Sequence, residues 1–158
     1  MKTILVPVDF SSATRDVVNA AVHLAQPLGA HVVVLHSLHP PMVTTDYGAG
    51  LEVLHETIAI NEKAAVRQLE HLKKVLTSKA IVADTLLVHG YASANILEQA
   101  RNLKADYLIL GSHGHTALYD LIVGSTTHAI LKASPCPVIV IPPTHAKKPA
   151  KKRAGKRS

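Results

Sequence analysis

The sequence predicts a doubly wound α/β fold, in which an open five-stranded parallel sheet carries helices on both faces. Short apolar segments rich in Val and Ile alternate along the chain with longer segments whose apolar residues recur every three or four positions. The short segments are continuously apolar, as in strands that are buried on both sides. Connections of helical length between such strands favour parallel, right-handed crossovers, which place helices on both faces of the sheet.

The first strand–helix unit opens the chain. Thr3 to Val8 has the β-branched composition of a buried strand, and Asp9 follows at its end. Ser11 and Ser12 are candidate N-caps of the first helix, which we expect to end at Gly29.

The middle of the chain predicts a second strand, a long helix and a third strand. The second strand covers His31 to Leu38 and is ended by two prolines, after which a long loop runs to about Gly50. Apolar residues at helical spacing then extend from Leu51 to about Thr77, and Ile81 to Val88 forms the third strand.

The last third of the chain predicts two more helix–strand pairs. Ser93 is a candidate cap for the third helix, and Asp106 to Leu110 is the fourth strand. A helix opening at Ser125 and continuing through Leu131 leads to a fifth strand, Pro137 to Ile141.

Length and composition favour one compact domain with an aliphatic core, because 47% of the 158 residues are hydrophobic and only 3% are aromatic. No apolar run approaches the roughly 18 residues of a membrane-spanning helix. Asp9 interrupts the apolar N-terminus before it could serve as a signal peptide, so we expect a cytoplasmic protein. The single cysteine, Cys136, excludes an intramolecular disulfide and a multi-cysteine zinc site, and we expect it to pack as a small hydrophobe where a strand begins.

The positive charge is concentrated at the C-terminus. Seven of the 17 Lys and Arg residues lie between Lys147 and Ser158, where there is no acid, so residues 1–146 carry ten cations against 11 acids. We therefore expect a nearly neutral domain over residues 1–143 and a basic, disordered tail over residues 144–158. The tail is interpreted as a solvated segment, with weak contact to nucleic acid or an acidic partner as the alternative.

A group of glycines and hydroxyl residues marks the candidate ligand site. Parallel sheets of this type bind ligands at the carboxyl ends of their strands, near the point where the strand order reverses. Gly111 and Gly114 follow the fourth strand, where we expect them to permit positive φ and a close approach of the backbone to a ligand. After nine intervening residues, Gly124 precedes three hydroxyl residues at the start of a helix, an arrangement that favours phosphate. Those hydroxyl residues are Ser125, Thr126 and Thr127.

These residues reproduce the G-x2-G-x9-G-[S/T] pattern of the ATP-binding members of the universal stress protein family, which the sequence closely resembles. The opening segment from Ile4 to Ser11 and the segment Leu35-His36-Ser37 resemble the family's first two strands, so the resemblance covers about residues 1–142. It implies a Rossmann-like fold of the adenine nucleotide alpha hydrolase-like type. It also implies a homodimer formed through the last strand, Val138 to Ile141, which an apolar edge strand favours independently.

The resemblance also implies roles for individual residues. Pro7, Val8 and Asp9 would contact adenine, and Ser37 would contribute backbone contacts to it. Asp9 has a structural alternative, an Asx turn before the first helix. The glycines and hydroxyls would line the ribose and cradle the phosphates, with His113 beside them as a possible donor. The full set of implied ATP-binding residues is Pro7, Val8, Asp9, Ser37, Gly111, His113, Gly114, Gly124, Ser125, Thr126 and Thr127.

We therefore expect a protein in which ATP occupancy acts as a regulatory switch. Mg²⁺ would be held mainly through the phosphates. No Lys or Arg lies between Ala105 and Leu131, so the segment lacks the cation that phosphoryl transfer normally uses. A slow ATPase or phosphotransferase is the first alternative, and a nucleic-acid-associated protein acting through the tail is the second. Eleven histidines scatter over the predicted elements without a convergent set of metal ligands, so we expect no metal site.

Overall fold

The computed structural model of the protein describes residues 1–39, 50–112 and 123–142, with the side chains of the long helix described from residue 55 onward. Five strands and four helices alternate along these residues. In chain order they are β1 (Thr3–Pro7), α1 (Thr14–Leu28), β2 (His31–Leu38), α2 (Gly50–Thr77), β3 (Ala83–His89), α3 (Ala92–Asn102), β4 (Tyr107–Gly111), α4 (Ser125–Ala133) and β5 (Val138–Ile141).

The strands form a five-stranded parallel sheet with the order β3-β2-β1-β4-β5. The chain moves from β1 through β2 to β3 in one direction and then returns to the other side of β1 with β4. The strand order therefore reverses between β1 and β4, which is where such sheets open a ligand cleft. The predicted doubly wound α/β fold is confirmed.

Apolar residues fill both faces of the sheet. On β1, Ile4 and Val6 face a core shared with α1 and α2, whereas Leu5 faces a second core shared with α3 and α4. All three side chains are fully buried, because alternate residues of a central strand point to opposite faces. Fully burying each one stabilises the fold by about 1.5–3 kcal/mol. Cys136 is half-buried against the α3/α4 core, just before β5.

The start of α1 differs from the prediction, whereas its end agrees with it. Ser11 and Ser12 do not cap α1: its N-cap residue is Ala13, without a side-chain cap. The Asp9 carboxylate accepts a hydrogen bond from the Ser11 N–H at 3.0 Å, and this turn uses the residues that would otherwise start the helix. Gly29 ends α1 with φ +56°, as predicted.

Two further predictions are corrected in the second half of the fold. Ser93 lies inside α3, whose N-cap residue is Tyr91, again without a side-chain cap. The third strand begins at Ala83 rather than Ile81. Ala80 has φ +59°, and the Ile81 N–H donates to the Leu76 carbonyl, so the turn that closes α2 extends into the predicted strand.

Two adjacent residues of α4 test how this helix is anchored. Ile130 is fully buried in the α3/α4 core, whereas Leu131 is 47% exposed. We expect Ile130→Ala to lower the free energy of unfolding by about 2–5 kcal/mol, because it leaves a cavity. Leu131→Ala is the matched control and should change it by no more than about 0.5 kcal/mol. Urea denaturation followed by circular dichroism measures both, and equal losses would contradict the packing described here.

Candidate functional site

A cavity of about 160 Å³ lies at the carboxyl ends of β1, β2 and β4, at the point where the strand order reverses. The N-terminal turns of α1, α3 and α4 border it, so three helix N-termini meet at one space. Its lining consists of Pro7, Val8, Asp9, Ala13, Thr14, Val17, Leu35, His36, Ser37, Ala92, Ile96, Leu110, Gly111, Thr126 and Thr127.

Backbone and imidazole hydrogen bonds hold the end of β1 against β2. The Val8 N–H donates to the Leu35 carbonyl at 2.8 Å, and Nδ1 of His36 donates to the Val8 carbonyl at 2.8 Å. Phe10, with φ +60°, places its ring 4.2 Å from the His36 ring between centroids. Asp9 forms the Asx turn that was its structural alternative, and it also lines the cavity.

Nδ1 of His36 carries a proton, because the Val8 carbonyl oxygen can only accept. Burial lowers the pKa of His36 below its ordinary value of 6.5, since the charged ring would be poorly solvated. The Val8 hydrogen bond and the Asp9 charge act in the opposite direction, and His39 adds a small lowering effect.

A side-chain network closes the β2 end of the cavity. Nδ2 of Asn95 donates to Oγ of Ser37 at 2.8 Å and to the His89 carbonyl at 3.1 Å. Oγ of Ser37 donates in turn to the carbonyl of Gly90 at 3.0 Å. Gly90 has φ +120°, a backbone conformation that favours glycine. The sequence analysis missed Asn95, because nothing in its local sequence shows that α3 brings it to residue 37.

The opposite end of the cavity is formed where β4 meets α4. Oγ1 of Thr127, which is 5% exposed, donates to the Gly111 carbonyl at 2.9 Å. The Gly124 N–H donates to the Ser112 carbonyl at 3.0 Å. These bonds hold the first turn of α4 over the end of β4, and among the residues that the structure describes no side chain caps the helix at Gly124. The first-turn N–H groups of α4 therefore form a site suited to an anion.

The space at Gly124 fits a bound group. Its φ of −57° is open to any residue, so the backbone conformation does not require glycine. Among the described residues, a Cβ added there would meet only the Ser112 carbonyl oxygen, at 3.5 Å, an ordinary contact. Gly111 is the last residue of β4, and the positive φ predicted for it is not observed. At Gly124, glycine therefore leaves open a space that a ligand could use.

The structure brings most of the predicted site residues together. Pro7, Val8, Asp9, Ser37, Gly111, Thr126 and Thr127 line the cavity. Gly124 lies at the N-cap of α4, and Ser125 is exposed in its first turn. His113 and Gly114 lie outside the described residues. The lining residues on α1 and α3 were missed as site residues, because Val17 and Ile96 carry the periodicity of ordinary core positions.

The described residues also bear on two other kinds of site. None of the helices in residues 1–39, 50–112 and 123–142 is long and apolar enough to cross a membrane. Within the same ranges, no three His, Cys, Asp or Glu side chains converge in a way that could hold a metal ion. The cytoplasmic location stays a prediction.

Comparison with known proteins identifies the family of this chain. The profile of the universal stress protein family matches residues 1–142, and the chain belongs to that family. Among its relatives, the universal stress protein YxiE of Bacillus subtilis is 29% identical over 143 residues, covering 87% of this chain and 96% of YxiE.

Solved structures share the architecture. The structure of MJ0577, from Methanocaldococcus jannaschii, superposes with a TM-score of 0.79 at 26% identity and covers 92% of this chain and 98% of that protein. An Archaeoglobus fulgidus universal stress protein in complex with dAMP superposes with a TM-score of 0.62 at 21% identity, covering 89% and 97% of the two chains. An Arabidopsis thaliana family member with AMP bound gives 0.69 at 13%, covering 96% and 97%. At these two identities the likeness shows the fold.

The lowered pKa of His36 predicts a pH dependence of stability. Below about pH 6.5 the unfolded chain binds more protons than the folded chain, so the free energy of unfolding falls as the pH drops through that value and levels off below the folded-state pKa. His36→Asn keeps a donor for the Val8 carbonyl but does not titrate, so it should lose less stability between about pH 7.5 and pH 5. Urea denaturation at both pH values measures this. The same replacement at the exposed His71 controls for the loss of an imidazole, and an unchanged dependence in His36→Asn would contradict the assignment.

Proposed function

We propose that the cavity binds an adenine nucleotide, ATP with Mg²⁺, and that its occupancy switches the protein between regulatory states. The observation that supports this most is the position of the uncapped N-terminus of α4 at one end of a cavity that has apolar walls at its other end. The two ends of a nucleotide match the two ends of this cavity. Its anionic phosphate chain suits the helix N-terminus, and its flat, largely apolar base suits the apolar walls.

The phosphates belong at α4. Gly124 leaves room at the N-cap, and the N–H groups of Ser125 and Thr126 point out of the first turn, where the helix dipole favours negative charge. The Thr127 hydroxyl already bonds to Gly111, so we assign to Thr127 a backbone contact and the positioning of the turn. By the family resemblance, Gly111, His113 and Gly114 complete the ribose and phosphate side.

The base belongs near β2. Ala92 and Ile96 of α3 and Leu35 of β2 supply an apolar wall, with Val8, Asp9 and Ser37 at its rim. Two strand spacings separate β2 from β4, about 9–10 Å, which is a length that a ribose can bridge between base and phosphate. The relatives solved with AMP and dAMP support an adenine nucleotide, since both ligands share adenine and a phosphate.

Binding rather than turnover fits the charges of this region. The sequence between Ala105 and Leu131, which includes the glycine and hydroxyl residues assigned to the phosphate site, contains no Lys or Arg to stabilise a transferring phosphoryl group. Mg²⁺ would then be held by phosphate oxygens and water. ATP can still act as a switch, because a ligand stabilises the conformation that it binds better. Magnesium-dependent ATP hydrolysis that is lost when the α4 site is blocked would favour the slow-ATPase alternative instead.

Isothermal titration of ATP with Mg²⁺ tests the assignment of the phosphate site. We expect saturable binding to the wild-type protein and a loss of affinity of about tenfold or more in Gly124→Val, whose branched side chain fills the space beside the first turn of α4. His128→Val is the matched control, since it places the same side chain at an exposed position one turn further along α4, outside the cavity.

The titration uses protein from which copurified nucleotide has been removed, and circular dichroism checks that both variants fold. Equal affinities of Gly124→Val and His128→Val for ATP would contradict the assignment of the phosphates to the N-terminus of α4. A folded wild-type protein without ATP binding would overturn the proposed function.

We also propose that the protein is a homodimer paired through β5. The strand lies at an edge of the sheet, all four of its residues are apolar and half-buried, and an uncovered edge of this kind invites another strand. The Leu108 N–H donates to the Pro137 carbonyl and the Ser112 N–H to the Ile141 carbonyl. Alternate residues of a strand direct their backbone groups to opposite sides, so Val138 and Val140 present theirs to the free edge.

Val140→Pro tests this interface. Proline removes an outward N–H without removing a bond to β4, so we expect a monomer by size-exclusion chromatography with light scattering. Val140→Thr keeps the N–H and should remain a dimer, as should a chain shortened by deleting Lys147 to Ser158. A monomeric wild-type protein, or a dimer of Val140→Pro as stable as the wild type, would contradict the proposal. Salt-sensitive nucleic-acid binding that is lost with the same deletion would support the tail-based alternative.

A further inference from the structure

The Ser37 hydroxyl has a hydrogen-bonding direction that two backbone carbonyls determine. The His89 carbonyl can only accept, so the atom of the Asn95 amide that faces it, 3.1 Å away, is the donor Nδ2. The same Nδ2 lies 2.8 Å from Ser37 Oγ, which must therefore accept. The Ser37 proton goes to the Gly90 carbonyl, which can also only accept, at 3.0 Å.

The network leaves the Ser37 oxygen with one lone pair and no proton to offer. Ser37 lines the cavity, so at this point the wall presents an acceptor to a ligand. The neighbouring Val8 carbonyl is an acceptor too, with His36 as its donor. A ligand that placed an acceptor here would leave two unpaired acceptors facing each other.

We propose that the Ser37 hydroxyl selects a purine that carries a 6-amino group, and that Asn95 is the positioning residue that gives the hydroxyl this selectivity. The inference rests on the proposed function and deepens it. The family resemblance assigns backbone contacts to residue 37, whereas the inference concerns its side chain and a residue of α3 that the resemblance does not mention. Adenine presents an amino donor at position 6, while guanine and hypoxanthine present an oxygen acceptor there.

The surroundings of Ser37 favour a base over a phosphate or a ribose. Phosphate oxygens are acceptors, so an acceptor-only hydroxyl repels them. Ala92 and Ile96, beside Ser37 in the cavity wall, suit a flat apolar ring. A ribose hydroxyl could also donate, but ATP and inosine triphosphate carry the same ribose, so a difference between their affinities comes from the base. A nucleotide without the 2′-hydroxyl measures directly what that ribose donor contributes.

The test compares the affinities of ATP, inosine triphosphate and 2′-deoxy-ATP in the same titrations. Inosine triphosphate differs from ATP by an oxygen in place of the 6-amino group. We expect the wild-type protein to bind it at least about tenfold more weakly than ATP, because a half-buried acceptor loses its partner. We expect 2′-deoxy-ATP to bind within about threefold of ATP, because the selected donor is on the base.

Two variants separate the roles of Ser37 and Asn95. Ser37→Ala removes the acceptor, so the affinity for ATP should fall by several-fold. The ratio of the dissociation constant of inosine triphosphate to that of ATP should then fall towards one. Asn95→Ala frees the Ser37 hydroxyl to rotate and donate, so the ratio should fall mainly because inosine triphosphate binds more tightly. Asn102→Ala, the same replacement at an exposed position at the end of α3, is the matched control and should keep the wild-type ratio.

A loss of packing alone would weaken both nucleotides equally and leave the ratio unchanged, and that result in both variants would overturn the inference. Equal affinity of the wild-type protein for ATP and inosine triphosphate would overturn it while leaving the proposed function intact, as would a larger loss for 2′-deoxy-ATP than for inosine triphosphate. Absence of binding to every nucleotide would overturn both. A wild-type preference for ATP that Ser37→Ala and Asn95→Ala each reduce in the stated way supports the inference.

Discussion

The pairing of β1 with β4 at the centre of the sheet is the constraint on which the site depends. The two strands share a short register, Ile4 with Tyr107 and Leu5 with Leu108, whereas β1 follows β2 as far as Pro7. Beyond this short register, the segment after β1 continues into α1 on one face of the sheet. The segment after β4 leads to α4 on the other face. The cavity is the space between them, and the buried side chains of the central strands hold it open.

The polar groups around this cavity are mostly committed to the protein itself. His36 bonds to Val8, Thr127 to Gly111 and Asn95 to Ser37, so each wall is fixed before a ligand arrives. Such preorganisation lowers the entropy that binding must spend on ordering the site. What remains available differs between the two ends: uncapped N–H donors at α4 and oxygen acceptors near β2. The two ends of the cavity therefore differ in polarity, as do the phosphate and base ends of the nucleotide that we propose as its ligand.

Family membership explains the architecture of this chain, whereas its own side-chain geometry bears on which nucleotide it prefers. The family match and the shared architecture of the solved relatives account for the sheet order and the position of the cleft. The roles of the hydroxyl at residue 37 and the amide at residue 95 follow instead from the hydrogen bonds of this chain. Nucleotide preference depends on such residues, because a single unpaired acceptor costs about as much free energy as a tenfold change in affinity.

The sequence by itself predicted the order of the elements and the helix N-terminus that borders one end of the cavity. The bounds of β2 and the end of α1 at Gly29 were predicted correctly, since a continuous β-branched run and a left-handed glycine are local signals. Gly124 and the three hydroxyl residues after it likewise predicted the N-terminus of α4. Tertiary structure decided the caps of α1 and α3, the inward bond of Thr127, and the network from Asn95 to Ser37. Those two residues are 58 positions apart, and only the crossover of α3 over the sheet places a donor beside a hydroxyl that no local pattern connects to it.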